Sequence, residues 1–298
     1  MFSIIIPTFN NVEYLKLCIS SIKKNSKFQH EIIVHVNEGA DGTENYLIEQ
    51  DIKYTSTKYN SGICEAVNTA AKKATTQYIL YAHDDFYFCP LWDTVLLDEV
   101  NKIGHNRFYL SGTMMNNGPI KINCGNTLED FDESKLLNSY KNSNYFDFQG
   151  STWAPHLIHK DLWTKVGGFS EEYYPGTGSD PDLNMKLWKI GIRIFKGINN
   201  FKVYHFGSIV TRKYKNHPTI KTESGSKGGK IFLLKWGITI NFFKEFILNS
   251  DKIYAGPLYE PNITFKYILK YTLCKLNYFY LKYIYRFNKK KLILNIFL

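Results

Sequence analysis

Strand-length apolar runs alternate with helix-spaced apolar residues through the first eighty positions, and this alternation restricts the fold more than any other feature. Ser3 to Ile6 is a short apolar strand, with Pro7 a breaker suited to its end. Val12, Leu15, Ile19 and Ile22 then recur at helical spacing. Glu31 to Val36 reads as a second strand, and Asp41 to Glu44 has the spacing of a capping box that opens a second helix. Ile52 to Tyr54 is a brief third strand; after Asn60-Ser61-Gly62, one face of a third helix carries Ile63, Ala66, Val67, Ala70 and Ala74. Tyr78 to Ala82 is a fourth strand. The pattern predicts an α/β fold with a mostly parallel sheet flanked by helices and its ligand at the carboxyl edge.

The fourth strand delivers His83-Asp84-Asp85. Two adjacent carboxylates at a strand end repel each other unless a cation lies between them or a pKa shifts. The pair suits a hard divalent ion that holds a diphosphate. The plain alternative is a solvated turn, so what surrounds the pair decides its meaning.

Several segments in fixed order carry a resemblance. Ile4-Ile5-Ile6-Pro7-Thr8-Phe9-Asn10, Asn37-Glu38-Gly39-Ala40-Asp41-Gly42-Thr43, Asn60-Ser61-Gly62-Ile63 with Ala66 and Asn68, and His83-Asp84-Asp85 resemble successive motifs of the family 2 glycosyltransferases. Gly167-Gly168-Phe169-Ser170-Glu171-Glu172 and Gly178-Ser179-Asp180-Pro181-Asp182-Leu183 resemble that family's approach to its catalytic base and the base motif itself. The resemblance covers roughly residues 2 to 245. It implies a Rossmann-like GT-A fold and transfer of one sugar, with inversion, from a nucleotide-diphosphate donor to an acceptor hydroxyl. Donor contacts would fall to Pro7, Thr8, Asn10, Asn37, Asn60, Gly62, Asp84 and Asp85. Asp85 and His205 would hold Mn²⁺ or Mg²⁺, and a UDP-sugar is the favoured donor. Asp180 would be the general base, with Asp182 its competitor; Asp182 and Trp153 would stand on the acceptor side.

Each assignment has a plainer counterpart. Ser179 stands where the family usually has Glu, and Ser179 with Asp180 could simply cap the helix that carries Leu183, Leu187 and Ile190. Many relatives have acidic residues at Val36-Asn37; Asn37 can still pair with a pyrimidine edge. Asp41 reads as a helix cap. His205 lies on an apolar strand, where a lone histidine is commonly structural. Trp153 serves as a sugar platform or as core. Arg212 or Lys213 meets the diphosphate or solvent. Phe232, Lys235 and Trp236 resemble a helix signature of the family's C-terminal region, or form an ordinary amphipathic helix. Lys221 to Lys230, rich in Gly and Ser, is a loop over the donor or a connector.

Charge separates the chain into parts. Residues 263–298 hold eight of its Lys and Arg residues and no acid, against a formal net charge of +10 for all 298 residues. The expected organisation is a catalytic domain over 1–250, with a nucleotide-sugar half over 1–85 and an acceptor half over 86–250. A linker over 251–262 and a basic amphipathic helical tail over 263–298 follow. Lys275, Lys282, Arg286 and Lys289 share one face of the tail, and Leu276, Tyr280, Leu281, Ile284 and Phe287 the other. That pattern suits an interfacial helix on anionic lipid, with contact to a partner subunit as the alternative. Tyr and Leu are interleaved too densely for a nucleic-acid arm. Five widely spaced cysteines show neither zinc pairing nor a disulfide framework. No signal peptide and no run of spanning length is apparent, which points to a cytoplasmic protein held peripherally at the inner face of a membrane. The expected partners are a nucleotide sugar and a glycan or lipid-linked acceptor in cell-surface glycan synthesis; oligomeric state is left open. Two rivals stand beside this reading. A sugar-nucleotide nucleotidyltransferase would carry a Gly-rich basic loop near its first strand, where this chain has Pro7-Thr8-Phe9-Asn10-Asn11. A non-catalytic glycan-binding relative is consistent with Ser179.

Overall fold

The computed structural model describes residues 1–143, 145–207 and 226–294. Arg212, Lys213 and the 221–225 part of the glycine-rich loop lie outside the described residues, as do the basic side chains from Arg286 onward.

Four strands form the parallel half of the sheet: β1 (Ser3–Phe9), β2 (Glu31–Asn37), β3 (Lys53–Thr57) and β4 (Tyr78–Tyr81), ordered β3-β2-β1-β4. Helices α1 (Val12–Asn25), α2 (Thr43–Glu49) and α3 (Gly62–Ala71) make the crossovers, as the alternation predicts. Their apolar stripes are buried: Leu15, Cys18, Ile19 and Ile22 on α1, and Cys64, Ala66, Val67 and Ala70 on α3.

Pro7 does not end β1, which runs on to Phe9 with Pro7 opposite His35 of β2. The ladder to β4 stops just before it. Ile5 accepts from the Ala82 N–H, so Pro7, two residues on, turns the nitrogen that carries no hydrogen toward β4, where no pairing remains. The predicted capping box is also absent. Gly42, in the left-handed region at φ +85°, is the N-cap of α2, and the first N–H of that helix, on Thr43, donates to Asp41 Oδ1 at 3.2 Å. The Asp41 carboxylate also accepts from the Val12 N–H at 2.7 Å and the Thr43 hydroxyl at 2.5 Å, joining the starts of α1 and α2.

Beyond β4 the sheet becomes mixed. It continues through β8 (His156–His159), β6 (Phe108–Asn116), β9 (Ile194–His205) and β5 (Phe86–Phe88), with β7 (Phe148–Gln149) also on β9. Helices α4 (Trp92–Ile103), α5 (Glu133–Ser139), α6 (Lys160–Val166) and α7 (Ser179–Lys189) lie between these strands in the chain. One apolar core extends from Phe2 and Ile4 through Leu80, Leu110 and Phe195 to Phe232 and Phe243. A smaller one, around Tyr87, Met115, Leu136 and Phe206, lies beneath the excursion after β6.

The C-terminal third returns to this body. Helix α8 (Ser226–Trp236) is followed by a helical turn, Ile240–Phe242, that continues as a π-helix, Phe243–Ile247. Residues 251–262 are fastened to the sheet: the Tyr254 N–H donates to Asp147 O, the Leu258 N–H to Arg193 O, and Arg193 pairs with Glu260 at 2.7 Å. Helix α9 (Phe265–Leu294) then docks by one face. Tyr267, Cys274, Tyr278 and Leu281 pack on the core, and Glu245 pairs with both Lys266 and Lys270. Leu281 thus faces the domain, not the outer stripe expected for it. Among the described residues no helix is long and apolar enough to cross a membrane.

Candidate active site

Sheet direction gathers the functional side chains. β9 is parallel to β6, β6 antiparallel to β8, and β8 antiparallel to β4. β9 therefore runs with β1, β2 and β4, and all four end at one edge. Thr8 and Asn10, Asn37, His83 to Asp85, and His205 stand at these ends.

His83, Asp85 and His205 offer ligand atoms that all lie within 4.8 Å of one another. His205 Nε2 is 3.5 Å from one Asp85 oxygen, and His83 Nδ1 is 4.0 Å from the other. Phe86 holds both imidazoles: its ring stacks on His83 at 4.8 Å and meets His205 edge-on at 4.9 Å. Burial alone would raise the Asp85 pKa, but His205 beside it brings the carboxyl below its ordinary value. Burial likewise opposes charge on His205, yet Asp85 raises it overall. His83 goes the other way, pushed down to about 4 by burial despite Asp85, so it presents a neutral imidazole. Two imidazoles and a carboxylate suit a divalent transition ion, Mn²⁺ better than Mg²⁺, which prefers oxygen. The sequence predicts Asp85 and His205 as ligands, and the structure adds His83. Its place beside the carboxylate pair was the available signal.

Asp84 turns away from the cluster. It is buried and accepts from the Thr8 hydroxyl at 2.7 Å. Burial and the neighbouring Asp85 push it up to about 7. Asn37, Asn10 and Asn60 are engaged in shaping this edge. Asn37 Oδ1 accepts from the Ser61 N–H at 2.8 Å and hydroxyl at 2.9 Å, while its amide donates to Thr8 O at 3.3 Å. Asn10 Oδ1 accepts from the Ala40 N–H at 2.8 Å, and Asn60 Oδ1 from the Gly62 N–H at 3.0 Å. Pro7 is buried within β1. Gly62, at φ +76°, is pressed against the loop that leads to Asp180: a Cβ there would meet Tyr174 Cδ2 at 2.8 Å and Pro175 O at 3.1 Å.

Asp180 is the second residue of α7, whose N-cap is Gly178, with no side-chain hydrogen bond from that residue. Its side chain is 24% exposed, while its Oδ1 is buried without a hydrogen-bond partner, 3.7 Å from His156 Nδ1. Burial pushes its carboxyl up to about 7. Asp182 is wholly different. It is fully buried and accepts from the Ser170 hydroxyl at 2.6 Å, Trp236 Nε1 at 2.7 Å and Tyr173 OH at 3.2 Å, with Lys235 Nζ at 3.1 Å. Lys235 and Trp236 of α8 are thus fastened to the helix that carries Asp180, the contact behind that sequence signature. Trp153 is half-buried, stacked on Phe148 at 5.4 Å with Lys244 Nζ 5.7 Å above its ring.

Known structures share this architecture. The crystal structure of S. aureus TarS 1–349 matches at 16% identity and TM-score 0.53, over 78% of this chain and 69% of that one. Its complex with UDP-GlcNAc matches at 15% and 0.55, over 84% and 67%, and its complex with UDP at 15% and 0.52, over 82% and 72%. At such identities the likeness is one of fold. No curated protein sequence matches the chain. The model of the family described as "Glycosyl transferase family 2" matches residues 3–154, from β1 through the His83-Asp84-Asp85 edge. Half of the chain, including the strands that build this edge, fits that model, and the chain belongs to glycosyl transferase family 2.

Proposed function

We propose that this glycosyltransferase moves a sugar from a UDP-sugar to an acceptor hydroxyl with inversion, with Asp180 as general base and a divalent cation at His83, Asp85 and His205. One observation carries the base assignment. Asp180 is partly open with Oδ1 unpartnered, whereas both oxygens of Asp182, two residues on, are occupied by donors. A carboxylate saturated by interior donors offers nothing to an acceptor, so Asp182 becomes an anchor for α7. Asp180, raised to about 7, has the proton affinity a base needs near neutral pH.

The cluster supports the cation. Mn²⁺ or Mg²⁺ held there supplies Lewis-acid neutralisation of charge on the departing diphosphate. Thr8 and Asp84 support the donor side from the ends of β1 and β4. Asn10, Asn37 and Asn60 fix the loops around that edge rather than reading the base through free amides. Inversion follows from a single attack, with Asp180 Oδ2 taking the hydroxyl proton as the new bond forms. The TarS complex with UDP-GlcNAc supports a uridine donor by likeness of fold.

For the tail we propose contact with anionic lipid at the inner face of a cytoplasmic membrane, and for the acceptor a glycan or lipid-linked glycan of the cell surface. The support is an outward apolar stripe on α9, where Phe265, Leu276, Phe279 and Tyr283 are all at least 60% exposed.

The direct test offers purified protein a panel of UDP-, GDP- and dTDP-sugars with and without Mn²⁺, and records released nucleoside diphosphate. Release from a UDP-sugar that needs the metal, and is lost in Asp85→Ala and Asp180→Asn, is the expected result. Normal turnover by Asp180→Asn would refute the base assignment, and turnover indifferent to metal would refute the cation.

A further inference from the structure

Behind Asp180 lies a buried histidine that the reaction outlined above does not use. His156 begins β8, fully buried, opposite Tyr81 at the end of β4. Its ring is enclosed by Tyr81 at 5.1 Å, Tyr109 at 4.8 Å and Phe169 at 6.0 Å between centroids. Nδ1 is 2.9 Å from Tyr109 OH and 3.7 Å from Asp180 Oδ1; Nε2 has no hydrogen-bond partner among the described residues. Two orphaned polar atoms, Asp180 Oδ1 and His156 Nε2, therefore sit in one apolar enclosure with a single nitrogen between the possible partners.

The tautomer follows from the neighbours. A lone pair on Nδ1 would face the carboxylate across 3.7 Å and repel it, whereas an Nδ1–H, within bonding distance of Tyr109 OH at 2.9 Å, turns the positive end of its dipole toward that side. Tyr109 OH then need not donate to the imidazole, because it can donate to Trp153 O, 3.4 Å away. Burial holds the ring neutral, pushed down to about 3, so it orients without supplying charge. The titratable groups that face this pair are Tyr81 from β4, Tyr109 from β6 and Cys64 from α3, with His83 further along the same edge.

We propose that His156 is a positioning residue for the base: its neutral ring, braced by Tyr109, directs an Nδ1–H at Asp180 Oδ1 and so aims the other carboxylate oxygen outward at the acceptor. The inference rests on Asp180 being the base, and no proton leaves His156 during turnover. The hydroxyl proton ends on Asp180 Oδ2, and the Nδ1–H stays on the imidazole. An N–H dipole aimed at the ionised carboxylate across 3.7 Å favours the charged form and lowers its proton affinity. His156 thus limits how far burial raises Asp180, and keeps the base ionised near neutral pH.

The test reads the imidazole directly. In full-length protein labelled with ¹⁵N-histidine, two-bond proton–nitrogen correlation spectra across about pH 5.5 to 9 report the His156 tautomer. Expected is the Nδ1–H form, with a shift step at the Asp180 titration that vanishes in Asp180→Asn. In Tyr109→Phe the Nδ1–H is no longer shared, and the step moves to lower pH. Nucleoside diphosphate release supplies the second readout. In His156→Phe the acid limb of kcat moves up by about one pH unit, a loss of about tenfold below it with KM unchanged, and His156→Asn restores much of it. An Nε2–H tautomer, a pH-independent spectrum, or a rate loss uniform with pH would overturn the inference. Retained turnover in Asp180→Asn would instead sink the base reading while leaving the spectroscopic coupling intact.

Discussion

Two neighbouring carboxylates at the end of β4 reach different surroundings. Asp84 accepts from the Thr8 hydroxyl, and Asp85 lies between the His83 and His205 imidazoles. The sequence made the pair legible, because adjacent acids at a strand end are costly without compensation. It did not separate their fates, and although His83 adjoins the pair, nothing in the sequence tells that its ring turns to the side of Asp85. His83→Ala is expected to weaken Mn²⁺ binding by roughly 10- to 100-fold, whereas Asp84→Asn changes it less than about threefold. Equilibrium titration followed by Mn²⁺ electron paramagnetic resonance measures both; equal losses would place Asp84 in the coordination set. The same titration has a pH sign. Asp85 raises the His205 pKa, and a metal ligand must shed its proton, so affinity falls as pH drops through the raised His205 value.

At the scale of elements, the order of strands and helices through Tyr81 was readable, because each crossover shows its own period. What closes the site was not readable, because it joins distant segments. Asp182 looked like a second candidate base, yet its donors come from Ser170, Tyr173, Lys235 and Trp236, on two further elements. Close backbone approach is the other hidden device. A Cβ on Gly228 of α8 would lie 2.0 Å from Thr177 O, and one on Gly62 collides with Tyr174. Gly62→Ala is expected to cost about 1–3 kcal/mol, since strain at positive φ adds to the clash, and to lower kcat by displacing the loop before Asp180. Urea unfolding and turnover on the same protein check it; unchanged values in both would show that the loop yields freely.

Glu31 is a second joint between elements. Its carboxylate accepts from Ser3 of β1, Lys53 of β3 and Thr75 before β4, with Lys53 and Ser3 at 2.5 Å. Burial opposes its charge, but Lys53, Ser3 and Thr75 together hold it down to about 2. A depressed carboxyl contributes stability that is complete above its unfolded pKa and lost as pH falls through the folded one. Glu31→Gln is therefore expected to cost on the order of 2 kcal/mol at neutral pH, with the difference from the parent shrinking below about pH 4.5. A deficit independent of pH would assign the loss to packing.

For the molecule as a whole, the uneven charge was visible in the sequence but the orientation of the tail was not. Helical spacing alone cannot say which stripe of α9 the domain covers. Tyr267, Cys274, Tyr278 and Leu281 face inward, and Lys266 and Lys270 are tied to Glu245. Phe265, Ile268, Leu269, Leu276, Phe279, Tyr280 and Tyr283 form the opposite stripe, each at least 52% exposed. An exposed apolar stripe this long, with basic flanks, has the make-up of a helix lying in a lipid interface. Because Cys274 is 4% exposed, deleting residues 263–298 would strip core contacts as well as the stripe, so loss of binding by that truncation would be ambiguous. Leu276→Ser with Phe279→Ser tests the surface alone. Both side chains point outward, so the thermal midpoint is expected to stay within a few degrees of the parent, while partitioning onto phosphatidylglycerol vesicles falls by roughly tenfold or more, given ~25 cal/mol for each Å² of apolar surface withdrawn. Salt should weaken parent binding through the basic flanks without abolishing it. Undiminished sedimentation of the double variant with vesicles would leave the stripe without a lipid role.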